Sequence, residues 1–359
     1  MGFTNCLIVV DLKINLLCKD KIMNEKATIG ISCGDLNGIG LEVFLKTLSD
    51  ITILNQANYI LYCPTKYVQK TANYLGLSIP QLNEIQTIDE VRHDTINCLY
   101  SGPNEGEIIF GNEDLALAQV SISSLEQCTN AAIEGEIHAM VTAPIHKKVM
   151  NDAGFNYAGH TDYFEEKCQK KPLMILMNKG LRVALLTAHI PISKVASSIS
   201  ELALIEKIKI LSRSMNLDFG ISEPNIAILG LNPHAGDGGI IGMEEIEIII
   251  PTMKKLVSEG YNLNGPFAAD GFFGSGEFKK YDGILAMYHD QGLAPFKALS
   301  FGMGVNYSAG LDIVRTSPDH GTGFNISGKN IASEKSFKEA ILSAITIVRN
   351  RHNSNGNQN

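Results

Sequence analysis

No apolar run in this 359-residue sequence is long enough to span a bilayer. The stretch CLIVV near the start is interrupted at Asp11 and Lys13, and no small-residue cleavage site follows it, so neither a membrane partner nor secretion is indicated. Positive charge is also not in excess. Thirty Lys and Arg against 38 Asp and Glu give a formal net charge of −8, which argues against nucleic acid or an anionic membrane as the main partner, although a local group of cations can still hold a phosphate. Paired cysteines are missing: Cys6, Cys18, Cys33, Cys63, Cys98, Cys128 and Cys168 are odd in number, scattered and never spaced as CxxC, the pattern of reduced thiols in a cytoplasm. There is no HExxH, no P-loop lysine, no GxGxxG fingerprint and no internal repeat. A bound dinucleotide must therefore be held by other means, and any metal ligands must come from dispersed positions.

What is present is a regular alternation. Short apolar runs at 27–32, 59–63, 137–143, 173–177, 182–188, 225–231 and 282–288 read as strands, with amphipathic helices between them at 114–134, 201–215, 243–258 and 336–348. This predicts an α/β protein with a largely parallel sheet, and the length suggests two domains. Met23 opens MNEKATIGISCGD, which reads as the start of an α/β domain, so residues 1–22 are either a disordered extension or a mis-assigned start. Residues 351–359, with the low-complexity NSNGNQN, are expected to form a disordered tail. The glycine-rich GDLNGIG, Gly34–Gly40, is either a tight strand-to-helix connection or part of a ligand site.

Three histidines occupy equivalent places. His189 ends VALLTAH, His234 ends AILGLNPH and His289 ends GILAMYH, each at the carboxyl end of a predicted strand, where ligands gather in open α/β sheets. Three neutral imidazoles suit a divalent transition metal, zinc first, with coordination positions left for substrate oxygens. The plainer alternative is three half-buried loop histidines. Downstream, residues 288–323 bring Asp290, Lys297, Asn306, Arg315, Asp319 and His320, a set able to bind an anionic substrate, with arginine suited to bidentate carboxylate or phosphate contacts. A third stretch, 141–167, carries Pro144, His146 and Lys147 and then GHTDYF, where His160 and Thr161 begin a predicted helix. There the helix N–H groups and the threonine hydroxyl would seat a phosphate, or Thr161 is simply an N-cap.

Taken together, GHTDYFEEK, TAHIPISKVASSI, GLNPHAGDGGIIGMEEI, AMYHDQGLAPFK and GVNYSAGLDIVRTSPDHGTG resemble the 4-hydroxythreonine-4-phosphate dehydrogenase family of vitamin B6 biosynthesis, in that family's order from about residue 27 to about 348. The resemblance implies an isocitrate/isopropylmalate-dehydrogenase-like fold with two α/β domains and a central active-site cleft. The first domain is expected over 23–135 plus 306–350, and the second, carrying the metal ligands and a dimer interface, over 136–305. It further implies a homodimer whose active site lies at the subunit interface, a divalent metal (zinc, with magnesium or cobalt as alternatives) and NAD or NADP, with no cofactor-binding residues assigned. By motif matching the metal ligands are His189, His234 and His289, with one contributed across the dimer, and the substrate residues are His160, Thr161, Lys297, Asn306 and Arg315. Asp290 and Lys297 are the side-chain candidates for proton transfer.

The implied reaction oxidises 4-phosphooxy-L-threonine to 2-amino-3-oxo-4-(phosphooxy)butanoate, a β-keto acid that loses carbon dioxide to give 3-amino-2-oxopropyl phosphate for pyridoxal 5'-phosphate biosynthesis. Two alternatives stand beside it: a sister dehydrogenase acting on 4-phospho-threonate or 4-phospho-erythronate, and a non-redox protein that binds metal and phosphate ligands. The sequence departs from the family pattern in the first glycine loop, GISCGDLNGIGLE in place of a PGEPAGIGPE type, and between Leu82 and Gln119.

Overall fold

The computed structural model describes residues 26–356. The apolar runs form one twelve-stranded sheet: β1 (Thr28–Ser32), β2 (Asn58–Tyr62), β3 (Leu82–Ile85), β4 (Ile96–Leu99), β5 (Ala139–Thr142), β6 (Leu173–Asn178), β7 (Leu181–Leu185), β8 (Ile226–Leu229), β9 (Leu263–Phe267), β10 (Gly283–Ala286), β11 (Val305–Ala309) and β12 (Arg315–Pro318). Their order across the sheet is β3-β4-β2-β1-β5-β12-β11-β6-β7-β10-β8-β9. Pairing is parallel on both flanks, as β1 with β2 and β5 and β10 with β7 and β8 show. Antiparallel pairing is confined to the middle, where β11 lies between β12 and β6, and β6 turns back onto β7. β2, β5, β8 and β10 are buried along their whole length, which is why they read as unbroken apolar runs rather than as alternating ones.

Helices cover both faces. The principal ones are α1 (Gly40–Leu48), α2 (Leu115–Ile133), α3 (His160–Cys168), α4 (Glu201–Leu217), α5 (His289–Ser300) and α6 (Lys335–Gly356). Two begin at side-chain caps visible in the sequence: the Asp114 carboxylate accepts from the Leu117 N–H, and the Ser200 hydroxyl accepts from the Ala203 N–H. α6 packs against β5, β11 and β12 and touches both α1 and α4, so it ties the two flanks of the sheet together.

One expectation changes. Residues 351–356, expected in a disordered tail, continue α6. Arg351 anchors them: its Nε donates to Asp218 Oδ1 at 2.7 Å and its guanidinium also donates to the Leu311 and Asp312 carbonyls, while the buried Tyr307 hydroxyl donates to the same Asp218 at 2.6 Å. A polar tail reads as disordered only until such a distant partner is known. Residues 1–22 lie outside the described residues. β5, which falls inside the expected 136–305 segment, pairs with β1 and β12 on the other flank, and β11 straddles the expected boundary at 306.

The Gly34–Gly40 loop resolves as a connection. Gly34 has φ +63°, and a Cβ there would collide with the Pro144 carbonyl. The donors a phosphate would need are already committed: the Asp35 N–H to Pro144 O, the Asn37 N–H to Asp35 Oδ1, the Gly38 N–H to Asp35 O and the Ile39 N–H to Thr322 O.

Candidate active site

Loops at the ends of β5, β7, β10 and β12, the residues of β11 and the start of α3 enclose a cavity of about 530 Å³. One end is built around Arg315, the first residue of β12 and only 2% exposed. Its Nη2 donates to Thr142 Oγ1 at 2.6 Å, its Nη1 donates to Ser308 Oγ at 3.2 Å, and the guanidinium lies 5.3 Å from the Phe164 ring centre. Among the described residues it has no carboxylate partner, and burial pulls its pKa down to about 9. A cation taken out of water costs several kcal/mol unless an opposite charge meets it, so an anion at this end would be favoured.

His160 and Thr161 reach the same end from the start of α3. The His160 ring stacks on Phe164, and its buried Nε2 has no hydrogen-bond partner among the described residues. Burial, with Arg315 and Lys147 adding to it, holds its pKa well below the usual histidine value, so the ring is neutral and has an unsatisfied nitrogen at the cavity. Asn306 of β11 lines the wall, and Lys297 of α5 projects from the other side, 3.4 Å from Asp319. Burial raises the Asp319 pKa, opposed by Lys297.

The other end holds His189 and His289, their ring centres 5.6 Å apart. His289 Nδ1 is 2.7 Å from Asp290 Oδ1, the carboxylate–imidazole pairing that orients a metal ligand and leaves Nε2 available. Burial, then Lys147 and His289, lowers the His189 pKa and favours the neutral, ligating form.

His234 does not line this cavity. It is exposed on the loop after β8, where His234, Ala235, Gly236, Asp237 and Gly238 all have positive φ, between 46° and 83°. Three of these are not glycine, and each costs about 1 kcal/mol or more in that region. Among the described residues no group of three or more His, Cys, Asp or Glu could hold a metal ion. One chain therefore brings together two of the three expected ligands, and imidazole nitrogens are donors that suit a divalent transition ion. Asp290 is likewise outside the cavity wall, with its carboxylate 85% exposed.

Motif reading left three contributors without a role. Thr142 and Ser308 are the hydroxyls that hold Arg315, and Lys147 lines the cavity with its terminal atoms close to Gly159, where a Cβ would sit 3.3 Å from Lys147 Cε. All three lie in or beside the motif stretches, but nothing in a sequence shows which hydroxyls face a guanidinium.

An α/β sheet with a cleft over its strand ends, lined by a buried arginine with no carboxylate partner among the described residues and by two neighbouring imidazoles, is the frame of an enzyme that takes a small polar molecule. The chain belongs to the pyridoxal phosphate biosynthetic protein PdxA family, whose model matches residues 55–344. It is 46% identical over 329 residues to a 4-hydroxythreonine-4-phosphate dehydrogenase of Bacteroides thetaiotaomicron, covering 91% of this chain and 90% of the relative. It is 40% identical to one of Sulfurihydrogenibium sp., covering 90% and 99%. The crystal structure of 4-hydroxythreonine-4-phosphate dehydrogenase from Klebsiella pneumoniae superposes with a TM-score of 0.80 at 29% identity, over 90% of this chain and all of that one. One from Burkholderia phymatum gives 0.77 at 32% identity, over 90% and 99%.

Proposed function

We propose that this enzyme oxidises 4-phosphooxy-L-threonine with NAD or NADP to 2-amino-3-oxo-4-(phosphooxy)butanoate, whose decarboxylation yields 3-amino-2-oxopropyl phosphate for pyridoxal 5'-phosphate synthesis. The observation that carries the reading is Arg315, buried without a carboxylate partner among the described residues at one end of a cavity whose other end presents His189 and His289. It is supported by the family and by relatives bearing that activity in their names. The substrate has two anionic groups and a secondary alcohol. Arg315, His160 and Thr161 take one anionic group, Lys297 and Asn306 steady the other, and the alcohol is turned toward His189 and His289. Fixing both ends removes the rotational freedom that otherwise separates reactants from a reactive pose. Lys297 reaches the cavity and is the better placed of the two proton-transfer candidates, whereas Asp290 acts by orienting His289.

A divalent metal held by these histidines would supply Lewis acidity to the hydroxyl, with zinc preferred for an imidazole set and magnesium or cobalt as alternatives. Its third ligand is His234 of a second copy, so the working unit is a homodimer. The apolar surface beside His234, with Ile240 84% exposed and Ile241, Met243 and Ile246 also exposed, suits that contact. Two α/β halves meeting at the cleft serve as the domains. The nicotinamide cofactor is held elsewhere than in the Gly34–Gly40 loop. We place the enzyme in the cytoplasm, where its free buried thiols remain reduced. The test is a metal-supplemented assay at 340 nm with 4-phosphooxy-L-threonine beside 4-phospho-threonate and 4-phospho-erythronate. Preferred turnover of the first is expected; preference for either acid moves the chain to the sister activity, and no turnover of any removes the redox reading.

A further inference from the structure

The loop that carries His234 is held in its left-handed turn by a buried carboxylate with no other evident task. Glu245 is 1% exposed and forms no ion pair among the described residues. Both of its oxygens are spent on one residue: Oε1 accepts from the Asn232 N–H at 2.8 Å and Oε2 accepts from Asn232 Nδ2 at 2.9 Å, while the half-exposed Glu244 accepts from the same Nδ2 at 2.8 Å and leaves the backbone N–H to Glu245 alone. Asn232 stands two residues before His234, at the point where the chain leaves extended geometry for the left-handed run. The turn is closed tightly over the same carboxylate. A Cβ at Gly236, φ +83°, would lie 2.7 Å from Glu245 Oε2, and one at Gly230 would lie 3.1 Å from Oε1. Glu245 also opens a single π turn, Glu245–Ile249, ahead of the helix at Ile250–Ser258, and such turns aim side chains that a regular helix would misplace.

A buried carboxyl with both oxygens committed to one asparagine is more than an ordinary surface loop needs, and a left-handed run containing three non-glycine residues does not hold itself. We infer that Glu245 is a positioning residue that clamps Asn232 so that His234 is presented, already oriented, to the metal site of a second copy. This rests on the reading of His234 as the ligand supplied across the dimer. The clamp lowers the ordering needed when the dimer and the ion come together, so its loss shows in metal capture before it shows in folding.

The experiment is a titration of the metal-stripped, full-length protein with Co²⁺ alone, following its visible absorption and fitted affinity. Wild type, Glu245→Gln and His234→Ala are compared, with the melting temperature and solution mass of each metal-free form. The glutamine amide would turn an NH₂ donor toward one of the two Asn232 donors, where an acceptor is required. Glu245→Gln is expected to bind Co²⁺ about 10- to 100-fold more weakly, with an altered spectrum and an unchanged dimer mass. If His234→Ala loses Co²⁺ while Glu245→Gln binds it like wild type, or changes only the melting temperature, the positioning role is wrong and the ligand reading stands. If His234→Ala binds Co²⁺ like wild type, the ligand reading itself fails and this inference with it. Should Glu245→Gln not fold, Asn232→Ala, which removes the Nδ2 bonds to Glu245 and Glu244 and keeps the N–H bond to Glu245, is judged by the same criterion.

Discussion

The two ends of the cavity differ in what a single chain completes. At the anion end everything is in place: Arg315 is buried, bonded by Thr142 and Ser308, flanked by His160 and lacking only a negative charge. At the imidazole end His189 and His289 stand 5.6 Å apart while His234 sits exposed on a strained turn outside the cavity. The difference teaches where assembly enters the function. On the reading proposed above, anion recognition is a property of the single chain and metal binding a property of a pair of chains.

The sharpest way to break that contrast is complementation. His189→Ala and His234→Ala are each expected to abolish metal-dependent turnover. In a mixed dimer one site lacks both ligands and the other is intact. Random exchange of equal amounts makes half the dimers mixed, so activity should return to about a quarter of the wild-type level. Mixtures that stay dead after verified subunit exchange would confine the metal site to one chain or exclude His234 from it.

The anion end should behave in the opposite way, indifferent to mixing. Arg315→Met is expected to reduce kcat/KM by about 10²- to 10³-fold, the consequence of removing one partner of a buried charge-assisted contact. The ligand-free protein should lose little stability, because the desolvated cation that goes was itself unfavourable and offsets the bonds lost at Thr142 and Ser308. Kinetics together with a thermal melt check both halves. A variant that melts far below wild type would make Arg315 a structural strut rather than a waiting ligand.

How much of this was legible beforehand follows the same division. Buried strands such as β8 and β10 announce themselves as apolar runs, and the strand-end position of His189 and His289 follows from them. β3 and β4 are only four residues long, with Asn83, Glu84 and Asn97 among them, and β9 contains a Gly-Pro pair, so no periodicity marks them. His234 matched its two counterparts in sequence position, yet it stands outside the cavity at the start of six consecutive positive φ angles, and only the glycines hinted at such a turn. Nothing local to Arg315 shows that it is buried, because its surroundings include Phe164 and Thr142, far away in sequence. The GDLNGIG loop stayed ambiguous for a related reason: its N–H groups are consumed by Pro144 and Thr322, partners that no local pattern reveals.

The smallest expected effect is on stability against pH. Burial pushes the His160 pKa well below its usual 6.5, with Arg315 and Lys147 adding to the shift, and burial lowers His189 and His320 as well. Above about pH 6.5 these rings are neutral in both folded and unfolded chains and contribute nothing. Below it the unfolded chain takes up protons that the folded chain refuses, so stability falls as pH drops, by at most about 1.4 kcal/mol per pH unit for each ring. His160→Asn should flatten this slope measurably, since His160 is the most deeply enclosed of the three. Urea melts between pH 5 and 7.5 would show it. Equal slopes for variant and parent would mean that His160 is protonated in the folded protein, and the anion end would then carry one more positive charge than its geometry assigns.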